Sequence, residues 1–107
     1  MTLNPTNVIA SACLYYNRNM WEFKRKPGER CHTRAISDMR KAAIHLLHTQ
    51  CRMSYPEIAE AIGWKTHPTV IGHHEAVLLR LDENSEHHDP AFVAAVSKIR
   101  VLAGGEA

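Results

Sequence analysis

No stretch of this 107-residue sequence stays apolar for more than a handful of residues. A membrane-spanning helix needs roughly 20, so no membrane partner is expected. The opening MTLNPTNVIASAC has no charged head leading into an apolar segment, so no secretory leader is expected either. Nowhere do β-branched and polar residues alternate cleanly over five positions, which argues against strands. The glycine-rich Gly-x-x-x-x-Gly-Lys-Ser/Thr loop that cradles nucleotide phosphates is missing, and so are Cys-x-x-Cys and His-Glu-x-x-His. Three cysteines (Cys13, Cys31 and Cys51) are an odd number at irregular spacing, which argues against a disulfide framework and for reduced thiols in a cytoplasmic protein.

Eight histidines are the one abundance that suggests metal. His73-His74 and His87-His88 are adjacent pairs, and His45 and His48 stand one helical turn apart. None has the spacing of a known ligand set. Cys31-His32 adjoin in a loop with no third residue to orient them, as a nucleophile would require. The expectation is no cofactor, no metal and no enzyme, with a small metal-dependent enzyme built on the histidine pairs as a distant alternative.

The net charge of +2 says less than its distribution. Residues 18–65 hold ten Lys or Arg against five acids, and residues 66–107 hold three against six. A basic middle with an acidic end suits a polyanion-binding face.

Helical periodicity fills most of the chain. Thr6 caps a helix over 7–16, with Val8, Ile9, Ala12, Tyr15 and Tyr16 on one face and Asn17 at its end. A short turn over 19–23 directs Trp21 and Phe23 inward. Residues 24–33 form a basic loop around Pro27-Gly28. A long helix over 34–51 buries Ile36, Met39, Ala43, Leu46 and Leu47, with Arg40 and Lys41 off that stripe. Ser54 and Glu57 form a capping box, and Pro56 fits the first turn of a short helix that Gly63 ends. A further helix runs from a Thr66 cap to about 82, carrying Val70, Ile71, Val77, Leu78 and Leu81. After the acidic, histidine-bearing 83–89 loop, Asp89 caps a last helix over 90–103 with Phe92, Val96, Ile99 and Leu102 inward. The expected architecture is one all-α domain of five to six helices over 1–107, with its core in 6–82. A two-turn helix, a glycine turn and a longer helix are the pattern of a helix-turn-helix.

The segment RKAAIHLLHTQCRMSYPEIAEAIGWKTHPTVIGHHEAV resembles the signature region of the C-terminal DNA-binding domain (domain IV) of the bacterial replication initiator DnaA. Arg40-Lys41-Ala42-Ala43 matches the opening of that family's long helix. Ser54, Pro56, Glu57 and Ile58 match its Ser-x-Pro-Glu-Ile start. Gly63-Trp64-Lys65-Thr66-His67-Pro68-Thr69-Val70 stands where the family has Gly-Gly-Arg-Asp-His-Thr-Thr-Val. Val8 to Phe23 is similar to its opening helix, so the likeness covers about 6–82. It implies a Trp-repressor-like fold and recognition of duplex DNA. Thr66, His67, Pro68 and Thr69 would face the bases, Lys65 would sit on a phosphate, Arg34 would enter the minor groove, and Arg40 and Lys41 would hold the backbone.

Trp64, Thr66, Pro68 and Gly72 depart from the family's Gly, Asp, Thr and His, which implies a target other than the DnaA box. The expected role is a nucleoid-associated regulator of transcription or replication without ATPase activity. The alternative is a protein-interaction module docking onto replication or transcription proteins through the same scaffold, with Trp64 as an exposed anchor.

Overall fold

The computed structural model describes residues 3–24, 33–63 and 67–105. These residues form five α-helices and one 3-10 turn, with no strand among them: α1 Pro5–Tyr15, the turn Met20–Glu22, α2 Arg34–Thr49, α3 Tyr55–Ile62, α4 His67–Leu81 and α5 Pro90–Leu102.

Local chemistry accounts for the helix ends. α1 begins two residues earlier than Thr6 capping would give, because Asn4 is the cap: its Oδ1 accepts from the Thr6 N–H at 2.8 Å, and Pro5 occupies a position whose N–H is not needed. The chain leaves α1 through Asn17 at φ 55°, a left-handed conformation that asparagine tolerates better than most residues. Thr33 caps α2 through its Oγ1, which accepts from the Ile36 N–H. α2 stops at Thr49, short of 51. Asp89 caps α5 as the sequence indicates, accepting from the Phe92 N–H at 3.2 Å.

α2 is the hub, packing against α1, α3, α4 and α5. Its inward residues Met39, Ala43, Ile44, Leu46 and Leu47 meet Val8 and Ala12 of α1, Ile58 and Ile62 of α3, Val70 and Val77 of α4, and Phe92 and Ile99 of α5 in one core. Burying each large aliphatic side chain contributes roughly 1.5–3 kcal/mol.

Several inward expectations are corrected. Phe23 is buried but Trp21 is 63% exposed, because a single 3-10 turn can direct only part of its surface into the core. Tyr15, Leu78 and Leu102 are half-exposed. On α5, Ala95 is buried instead.

Candidate nucleic-acid interface

The geometry of α3 and α4 starts from the sequence between 54 and 63. The Glu57 N–H donates to Ser54 Oγ at 3.3 Å, and the Ser54 N–H donates back to Glu57 Oε1 at 3.1 Å. These reciprocal bonds satisfy two of the N–H groups a helix start leaves open. The bond from the Ser54 N–H, with a second from the Ser54 hydroxyl at 2.8 Å, holds the Glu57 carboxyl below the usual carboxylate range. Gly63 ends α3 at φ 88°, where a side chain would be strained. Its N–H donates to the carbonyls of Ala59 and Glu60.

On α4, Val70, His74 and Val77 turn inward, while Pro68, Thr69, Gly72 and Glu75 are exposed. Pro68 and Thr69 thus stand on the outer surface of the leading turn. His67 opens the helix, but its side chain lies outside the described residues, as do Lys65, Thr66 and Trp64.

The basic residues of α2 divide. Arg34, at the first position of the helix, has its side chain 83% exposed and meets Asp38 only at 3.7 Å. Lys41 is partly buried and borders two hollows. One, of about 560 Å³, is shared with Thr33, Arg34, Ser37, Asp38 and Arg80. The other, of about 350 Å³, is shared with Thr69, Gly72, His73 and Ala76. Lys41 therefore links the exposed start of α2 to the first half of α4.

Arg40 does not belong to this surface. It is 4% exposed, and its guanidinium donates to the carbonyls of Phe23 at 3.1 Å, Glu22 at 3.0 Å and Lys24 at 3.4 Å. A charge buried among carbonyls is satisfied there and is not presented to a phosphate. The expectation that Arg40 holds a DNA backbone is corrected: it ties the segment after the 3-10 turn to α2.

Two arrangements beneath the surface were not foreseen from sequence. Arg80 of α4 donates to Asp38 of α2 at 2.8 Å and to Asp89 at the cap of α5 at 2.8 Å, and lies 3.9 Å over the Phe92 ring. Burial opposes its charge, but the two carboxylates hold its pKa above the ordinary value. The bond from Arg80 and the one from the Phe92 N–H hold the Asp89 carboxyl down.

The second arrangement is a relay of rings. Tyr55 of α3 hydrogen-bonds His74 Nδ1 at 2.9 Å, and His74 Nε2 faces His45 Nδ1 of α2 at 3.1 Å. His48 stacks on Tyr55 at 4.2 Å and its Nδ1–H donates to the Met53 carbonyl. Burial, then the neighbouring histidines, push the pKa of His45 down to about 4. Burial and then His48 lower that of His74 as well. Both rings are therefore neutral at pH 7, and one N–H lies between them. Among the described residues no group of three or more His, Cys, Asp and Glu side chains is placed to hold a metal ion.

Gly72 also stands out. Its backbone is helical, and a Cβ built on it would meet nothing within 4 Å. A mid-helix glycine costs about 1 kcal/mol relative to alanine, and no crowding among the described residues accounts for it.

No family model and no curated protein matches the chain. The described residues define an all-helical protein with no helix long and apolar enough to cross a membrane.

Proposed function

We propose that the chain is a sequence-specific duplex-DNA-binding protein in which α3, residues 63–66 and α4 form a helix-turn-helix of the DnaA domain IV type. The observation that carries this reading is the exposed leading turn of α4, with Pro68 and Thr69 outward, beside a cleft that Lys41 shares with it. The major groove accepts a helix and displays a distinct donor and acceptor pattern for each base pair. Thr66, His67, Pro68 and Thr69 enter it and read base edges, with the Thr69 hydroxyl and methyl available to a base. Lys65 and Lys41 neutralise phosphates on either side and set register without reading sequence. Arg34, extended from the start of α2, reaches the adjacent minor groove, where a narrow A·T-rich groove favours arginine.

The protein acts as a nucleoid-associated regulator of transcription or replication, needs no nucleotide and catalyses nothing. The test is selection of bound duplexes from a random pool at two salt concentrations. A consensus should emerge, affinity should fall steeply with salt, and the double variant Lys65→Ala, Thr69→Ala should lose binding. No consensus, with affinity insensitive to that variant, would refute the reading.

A second reading, docking of a replication or transcription protein, is favoured by Leu78 and Leu79, half-exposed on the later turns of α4. Capture of a partner that survives nuclease treatment and fails in Leu78→Ser, Leu79→Ser, from a protein without DNA affinity, would establish it instead.

A further inference from the structure

We infer that Gly72 is a contact point of this interface, where a sugar-phosphate strand of duplex DNA lies directly against the bare backbone of α4, in the cleft facing Lys41. The inference rests on the DNA reading above. Among the described residues, nothing in the packing calls for a glycine here. The residue is mid-helix, exposed and outside the left-handed region, and among the described residues a Cβ there would meet no atom within 4 Å beyond the helix's own backbone. Alanine would fit and would favour the helix. What glycine supplies is space on the outside, and the remaining structural role of such a position is close approach of a ligand to the backbone.

The surroundings define the ligand. Gly72 forms part of a cleft of about 350 Å³ with Lys41, Thr69, His73 and Ala76. Lys41 supplies positive charge, the Thr69 hydroxyl supplies a hydrogen-bonding group, and Ala76 adds little bulk. The exposed acid of the same helix, Glu75, is not among the lining residues. An anionic, ribbon-shaped occupant suits these walls. A base edge suits them less well, because the fixed charge comes from α2 at the side of α4 and not from its leading turn.

Gly72→Ala tests the inference, with Ser97→Ala on the exposed face of α5 as the control for helix propensity. Thermal unfolding and duplex binding are measured for both, on the selected site and on mixed-sequence DNA. Gly72→Ala should raise Tm by about 4 °C or more while weakening binding about tenfold, equally on both duplexes, because a backbone contact carries no sequence information. Ser97→Ala should raise Tm without changing binding. Unchanged affinity in Gly72→Ala would overturn the inference and leave the DNA reading intact. A lowered Tm or an unfolded variant would also overturn it, by showing that the glycine serves the fold. Loss confined to the selected site would overturn the strand assignment in favour of a base contact. If the unaltered protein binds neither duplex at low salt, the DNA reading fails, and this inference with it.

Discussion

Arg40 and Lys41 are neighbours of the same charge, yet their surroundings assign them opposite work. Arg40 is buried and held by three carbonyls, so removing its guanidinium leaves those acceptors short of a donor. Arg40→Met should cost on the order of 3 kcal/mol, read as a fall in the denaturant midpoint with little change in slope. Arg40→Lys should not restore it, because one ammonium cannot span acceptors arranged for a planar fork. Arg34 and Lys41 should behave in reverse. Arg34→Ala and Lys41→Ala should leave stability within about 0.5 kcal/mol, and each should weaken duplex binding and shrink the slope of log affinity against log salt by about one. A stable Arg40→Met protein with a reduced salt slope would contradict this division.

Among the elements, α4 depends on chemistry supplied by its neighbours. The relay from Tyr55 through His74 to His45 joins α3, α4 and α2 through rings that favour the neutral state. The unfolded chain takes up protons near the ordinary histidine value of 6.5, whereas folded His45 resists until about 4. Above 6.5 both states are neutral and the full stability is present; between 6.5 and about 4 the unfolded state binds more protons and stability falls. The loss from His45 is on the order of 3 kcal/mol, with a further contribution of the same sign from His74. Denaturant melts at pH 7.5, 6, 5 and 4.5 should show the decline, and it should be shallower in a His45→Gln variant. A flat profile over that range would contradict the buried, neutral pair. In α3, Ser54→Ala removes the Oγ that accepts from the Glu57 N–H and donates to Glu57 Oε1, keeps the backbone bond from the Ser54 N–H, and should cost about 1 kcal/mol, measured at pH 7, where the Glu57 carboxylate is ionised.

At the scale of the whole molecule, Arg80 fastens α4 to α2 and α5 at once. Arg80→Leu leaves Asp38 and Asp89 without their shared cation and should destabilise by roughly 3 kcal/mol. Double-mutant cycles with Asp38→Asn and Asp89→Asn should show coupling of more than about 0.5 kcal/mol, and additive effects would contradict the network. This network also marks where sequence reading stops. The Ser54–Glu57 box, the Asp89 cap, the Gly63 stop and the Asn17 exit lie within a few residues of the groups they serve, and the sequence displays them openly. Asp38 and Arg80 meet across 42 residues, and His45 and His74 across 29, so no local pattern pairs them. His45 and His48 were visible as a helical pair, but not the partner that completes the relay. Arg40 is different: it stands four after Ile36 and three before Ala43, within the buried stripe, and its charge obscured a spacing that pointed inward. Trp21 erred the other way, since bulk alone does not bury a residue in a three-residue turn. Of the candidate interface, Pro68, Thr69 and Arg34 were marked by the family likeness alone and are exposed, while the cleft that Lys41 shares with Gly72 depends on how α2 packs against α4.

In the proposed interface the leading half of α4 and the start of α2 meet one duplex together. Titration of the isotopically labelled protein with a selected duplex, followed by amide chemical shifts, distinguishes this surface from any other. Perturbations should concentrate at 67–76 and 33–41 and diminish as salt is raised. Shifts confined to α5 and the 3-10 turn, or none at low salt, would contradict it.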